Sequence, residues 1–165
     1  MSCLNRITYH WTAGTNKPNA TDLKHYHYII DGDGVLYKGL YTPEDNINCT
    51  DGKYAQHCGG GNTGNIGIAF CGCYVSKGVH VRNSKYPLTR IQIERGFELG
   101  AQLSLKYKIP LENIQTHYEF GQSHKNTSSY GKIDITYIAP FPSLKPEDCG
   151  NFIRSKVKWY TIKLN

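Results

Sequence analysis

Short apolar stretches broken by turn residues fill the first half of the chain, and a four-residue apolar rhythm sets in only near position 93. Ile7 to His10 reads as a strand running into a Thr12-Ala13-Gly14 loop, the kind of place where a scaffold presents reactive groups. Thr21 is placed to cap a short helical turn before strand character resumes at Tyr26 to Ile30. Asp31-Gly32-Asp33-Gly34 then supplies hairpin chemistry, since glycine accepts the positive φ of tight turns. Val35 to Leu40 is the expected returning strand. Residues 41–64, with many Asn, Asp, Thr and Gly, read as a long functional loop. Asn65 to Val75 reads as a central strand.

Helical signals follow. Thr89-x-x-Gln92 is a capping box, and Leu88 with Ile93 can form a hydrophobic staple around it. Ile93, Phe97 and Ala101 recur every four residues, and Pro110 closes the segment. Ile114 to Tyr118 is expected to be another strand, with Gln115 and His117 on one face. Pro146 suits the first turn of a terminal helix running toward Lys158. Strands and helices therefore interleave, which predicts one α/β domain over residues 1–165, a central mixed β-sheet flanked by helices.

Composition narrows the class. A chain of 165 residues buries roughly 70% of its unfolded surface, enough for one substantial core. Charged residues are only 19%, while 13 tyrosines and 17 glycines favour strands and turns over long helices. The longest apolar run, Ile66 to Val75, is interrupted by Gly67 and Gly72 and reaches about half of what a bilayer requires. The N-terminus has no apolar core behind a basic start, so no signal peptide is expected. A net charge of +6 fits a soluble basic domain and would also attract an anionic polymer. Arg154, Lys156 and Lys158 cluster near Trp159, but no nucleic-acid module accompanies them, so no nucleic-acid partner is expected.

The six cysteines, Cys3, Cys49, Cys58, Cys71, Cys73 and Cys149, read as reduced thiols without an export signal. Cys71 and Cys73 would share a strand face, as core residues in preference to metal ligands. Cys58 adjoins His57, yet neighbours on a strand face opposite sides, so a Cys–His pair is not favoured.

The candidate chemistry lies in three distant segments. His10, His117 in Thr116-His117-Tyr118-Glu119, and Lys132-Ile133-Asp134 together offer two imidazoles, a carboxylate and a cation. That inventory suits a catalytic zinc ion with three protein ligands and one open position. Seven histidines allow other triples, so the residue types alone do not single this one out.

An ordered set of motifs does. His10-Trp11-Thr12-Ala13-Gly14, Tyr26-His27-Tyr28-Ile29-Ile30-Asp31-Gly32-Asp33-Gly34, His57 through Gly61 with Asn62, Gly64-Asn65-Ile66-Gly67-Ile68, Ile109-Pro110-Leu111-Glu112-Asn113-Ile114 with His117, and Lys132-x-Asp134 follow one another. Residues 5–140 thereby resemble the type 2 N-acetylmuramoyl-L-alanine amidases, which include phage lysozyme-type amidases and peptidoglycan recognition proteins. The resemblance implies one zinc ion held by His10, His117 and Asp134, in a surface groove. It also implies that Lys132 stabilises an oxyanion and that Tyr26 stands beside the attacking water. His57 and Asn62 match the family's substrate groove, or else fix their own loop.

Two departures from the family pattern stand out. The segment Phe120 to Tyr130 is longer than in most relatives and carries His124, a competing ligand to which Asp134 is preferred. Ala69 stands where some relatives carry a catalytic glutamate, so proton transfer falls to Tyr26 and Lys132, with Glu119 a weaker candidate base. The expected protein is a monomeric zinc amidase cleaving between N-acetylmuramic acid and L-alanine. As a phage endolysin it would be made in the host cytoplasm and act on the cell wall after release. The alternatives are a non-catalytic peptidoglycan-binding protein and a zinc peptidase acting on the stem peptide.

Overall fold

The structure is a computed structural model that describes residues 3–165. Five strands form one mixed sheet in the order β3-β2-β4-β1-β5. They are β1 (Arg6–Trp11), β2 (Tyr28–Ile30), β3 (Leu36–Lys38), β4 (Asn65–Phe70) and β5 (Ile114–Thr116). Only the β2–β3 hairpin is antiparallel; β1 runs parallel to β4 and β5, and β2 parallel to β4. The helices are α1 (Ala20–His25), α2 (Arg90–Tyr107), α3 (His117–Ser123) and α4 (Cys149–Leu164). The expected α/β architecture is the one observed.

The central strands are buried on both faces, which parallel strands covered by crossovers require. Register then decides what each face holds. Ile7, Tyr9 and Trp11 pair with Ile66, Ile68 and Phe70, and these large side chains share a face. That face meets α2, where the Tyr9 hydroxyl donates to Gly96 O at 2.7 Å. A Cβ on Gly96 would collide with the Phe70 ring, so glycine there brings the helix close to the sheet. α4 packs against α2 and β5 and completes the apolar layer with Ile153 and Val157.

The other face of the same strands is small and polar. Thr8 pairs with Gly67 and His10 with Ala69. The Thr8 hydroxyl donates to Asn65 Oδ1 at 2.9 Å. Gly67 lies mid-strand because the His57 ring occupies its side-chain space: an added Cβ would sit 2.7 Å from His57 Cγ.

Residues 41–64 are a loop with a 3-10 turn at Pro43–Ile47, held by one buried amide. Asn46 Nδ2 donates to Ala55 O and Asn62 O, while its Oδ1 accepts from Ala55 N and His27 Nε2. Four contacts from one side chain replace the ladder bonds the loop lacks.

Several boundaries differ from the sequence expectations. α1 is capped by Asn19, which forms the capping box with Asp22, and Thr21 lies inside the helix. Tyr26 is the helix C-cap and not the start of β2. β4 ends at Phe70, where Gly72 (φ 144°) and Cys73 (φ 70°) take the backbone out of extended geometry. Cys71 and Cys73 therefore do not share a strand face, although both are buried. β5 stops at Thr116, because Thr116 and Glu119 form a capping box that starts α3 at His117.

Candidate metal centre and cleft

His10 projects from the polar face near the end of β1 and is fully buried. His117, the first residue of α3 and the one directly after β5, lies beside it, with ring centroids 4.6 Å apart. Asp134 arrives on the segment after α3; its carbonyl accepts from Tyr118 N at 2.7 Å, which ties it to the first turn of that helix. His10 Nδ1 lies 2.9 Å and His117 Nδ1 3.1 Å from the same atom, Asp134 Oδ2.

Two imidazoles and a carboxylate on three elements thus present one atom each within 4.8 Å of one another, all three residues buried. Burial pushes the His10 pKa down to about 4, and His117 and Lys132 act in the same direction against Asp134. A neutral imidazole is the form that ligates a metal. The donor set, the neutral His10 ring and the spacing fit a zinc ion with three protein ligands.

The triad borders a cleft of about 630 Å³ whose walls include Trp11, Tyr26, His57, Asn62, Lys132 and Asp134. The Tyr26 ring stands 5.1 Å from that of His10, centroid to centroid. Burial, aided by the charge of Asp134, raises the Tyr26 pKa, so the hydroxyl keeps its proton and remains a donor. Lys132 is exposed at the rim, and its backbone N–H donates to Ser129 O at 3.1 Å.

Other sequence candidates lie elsewhere or are already engaged. His124 stacks on Phe120 at 3.9 Å and its Nδ1 contacts Phe120 O, away from the triad. Glu119 grips Arg154 with both oxygens, at 3.0 and 2.9 Å, while capping α3. Of the terminal basic cluster, Arg154 is paired with Glu119 and Lys156 with Glu94. Cys58 is a buried thiol whose pKa is pushed up to about 11 by burial, the opposite of an activated nucleophile. Asn62 Oδ1 accepts from His57 N and Cys58 N, so this side chain fixes its own loop. Both ring nitrogens of His57 are in use, one against His10 Nε2 at 2.9 Å and one against Asn65 O at 3.0 Å.

A family model described as N-acetylmuramoyl-L-alanine amidase matches residues 3–132. The chain belongs to that family. The match spans His10, Tyr26, His57 and His117 and ends two residues before Asp134, whose place beside them rests on the geometry. Among solved structures, a point mutant of PlyL is similar at 23% identity and TM-score 0.52, over 96% of this amidase-family chain and 86% of that one. AmiD from E. coli, in complex with anhydro-N-acetylmuramic acid-L-Ala-D-gamma-Glu-L-Lys, is similar at 19% identity and TM-score 0.53, over 81% of this chain and 52% of that one. The amidase LysC from Clostridium intestinale URNW aligns at 22% identity and TM-score 0.49, over 70% of each chain. For the PlyL mutant and AmiD, at these identities, the likeness is one of fold. No curated protein matches the chain.

Sequence reasoning missed one polar residue of the centre, Ser129, whose hydroxyl lies 3.0 Å from His117 Nε2. No local signal marks it. Gly67 was a readable hint for His57, since a glycine inside an apolar strand signals close approach of another group.

Proposed function

We propose that the protein is a zinc-dependent N-acetylmuramoyl-L-alanine amidase, cleaving peptidoglycan between N-acetylmuramic acid and L-alanine. The observation that carries this reading is the convergence of His10 Nδ1, His117 Nδ1 and Asp134 Oδ2 beside an open cleft. His10, His117 and Asp134 would hold the ion, whose contribution is Lewis acidity toward a carbonyl oxygen and a lowered pKa for water.

The chain's own residues supply the rest. Lys132, at the cleft rim, brings a fixed cation to the oxygen on which negative charge grows as the amide carbon becomes tetrahedral. Tyr26, protonated and beside His10, orients water by its hydroxyl. Ala69, opposite His10 in the sheet, has no proton to transfer, which leaves proton handling to groups on the cleft wall. His57 lends the wall an edge of its ring, and Asn62 stiffens the loop that carries it. Among the described residues no helix is long and apolar enough to cross a membrane. The setting we propose is wall lysis by an endolysin.

The decisive measurement is product analysis of digested peptidoglycan. Intact stem peptides with new L-alanine amino termini, and no new reducing sugar ends, are expected. New termini at another stem residue would establish a peptidase. Tight binding by zinc-loaded protein without any product would establish a recognition protein.

A further inference from the structure

Each imidazole facing Asp134 has its other nitrogen engaged on the far side of the ring, and those outer contacts decide where the protons sit. One path begins at a backbone carbonyl, which can only accept. Asn65 O lies 3.0 Å from His57 Nε2, so that nitrogen carries a proton. His57 is buried between His10 and His27, with ring centroids at 5.0 and 5.5 Å, surroundings that disfavour a charged ring. A neutral His57 presents a bare Nδ1 to His10 Nε2, 2.9 Å away, and His10 must donate. His10 Nδ1 then faces Asp134 Oδ2, 2.9 Å away.

The second path ends at another carbonyl. Ser129 Oγ lies 2.7 Å from Gly59 O and spends its one proton there. Toward His117 Nε2, at 3.0 Å, the hydroxyl can only accept, so that nitrogen is also protonated. His117 Nδ1 is the nitrogen left to face the same carboxylate oxygen, 3.1 Å away. Both rings therefore turn Nδ1 toward one carboxylate oxygen, and at these separations a proton or a metal cation has to lie between nitrogen and oxygen.

Glycines make both paths possible. Gly67 leaves room for the His57 ring beneath β4. On Gly59, Gly60 and Gly61 a Cβ would collide with Ser128 Oγ, Thr127 Cγ2 and the Phe120 ring in turn. The segment 120–130 lies across that bare backbone, which is how Ser129 comes within reach of Gly59 O.

We propose that His57 and Ser129 are positioning residues that hold His10 and His117 by their Nε2–H groups, aiming both Nδ1 atoms at one cation site. The inference rests on the metal reading of the preceding section for its purpose, but the Nε2 protons can be read without metal. Nitrogen-15 NMR is expected to show a proton on Nε2 of both rings in the metal-free and in the zinc-loaded protein. An Nε2 without a proton on either ring overturns the proposal.

Zinc affinity, read by competition with a chromophoric chelator, supplies the second measurement. Ser129→Ala is expected to weaken it about 10–100-fold, as loss of an outer partner of a ligating histidine does. Thr127→Ala loosens the same segment without touching His117 and is expected to bind nearly as the parent does. His57→Gln, whose amide offers an acceptor and a donor, is expected to retain more affinity than His57→Phe. Parental affinity in Ser129→Ala, or an equal loss in Thr127→Ala, overturns the proposal. Nε2 protons on both rings of a parent protein that takes up no zinc would uphold the outer contacts and sink the metal reading instead.

Discussion

On β1, Ile7, Tyr9 and Trp11 enter the apolar layer beneath α2 and α4, while Thr8 and His10, one peptide away, enter a polar layer of loops and glycines. Both layers are buried, and they are held by different forces. The apolar layer depends on area and fit, so many residues share the load. The polar layer depends on each donor finding its acceptor, so single atoms decide whether it works. Stability and chemistry are thereby assigned to opposite faces of one sheet, and substitutions on the two faces should fail in different ways.

The largest expected effect is at Asp134. Asp134→Ala should abolish peptidoglycan hydrolysis and zinc uptake while circular dichroism still reports a folded chain; His124→Ala should leave hydrolysis and zinc stoichiometry near those of the parent. The reverse pattern would mean that the long 120–130 segment supplies the ligand. Next comes the apolar face. Phe97 is fully buried against Phe152, and Phe97→Ala should cost about 3–5 kcal/mol in denaturant unfolding. The molecules that remain folded should bind zinc normally, and if they do not the two faces are coupled.

Lys132→Ala should lower kcat by roughly 10²–10³, about 3–4 kcal/mol of transition-state stabilisation, with zinc content and melting temperature almost unchanged. Tyr26→Phe should act in the same sense, more mildly. Single-turnover digestion beside zinc stoichiometry checks both, and an unaffected Lys132→Ala would remove the oxyanion role.

The smallest effect is on acid stability. His27 is neutral in the fold: its Nδ1 accepts from Gly67 N, its Nε2 contacts Asn46 Oδ1, and burial lowers its pKa from 6.5 to about 4. The unfolded chain therefore binds the extra proton first. Stability from this group is complete above about pH 6.5 and is lost as pH falls toward 4. The melting temperature of metal-free protein should drop across that window, and His27→Gln should flatten part of the drop. An unchanged slope in the variant would assign the acid sensitivity to other groups.

The apolar face was largely legible in the sequence. Thr89 and Gln92 announced α2, and Ile93, Phe97 and Ala101 marked the side that packs. The family motifs brought His10, His117 and Asp134 to attention, and the structure places them together. What stayed hidden was non-local or was decided by competition. Thr116 and Glu119 form a capping box as sound as that of α2, but Ile114 to Tyr118, with Gln115 and His117 on one face, read as continuous strand. After Cys71, whose N–H still donates to Ile30 O, the chain leaves the sheet because Gly72 and Cys73 take positive φ, with Cys73 N bonded to Tyr86 O, a partner no local pattern names. Ser129 matters through an oxygen seventy positions away in the chain.

The provenance of the three candidate ligands has a kinetic side. His10 rides on β1, an inner strand of the sheet, whereas His117, Ser129 and Asp134 lie within one stretch, 117–134, at its edge beyond β5. Local opening of that stretch would carry off two ligands and an outer partner at once and leave His10 and His57 in place. Ion release would then follow a sub-global fluctuation and not global unfolding. Amide hydrogen exchange should find residues 117–134 exchanging well before β1 and β4, with zinc slowing the first group and leaving the second untouched.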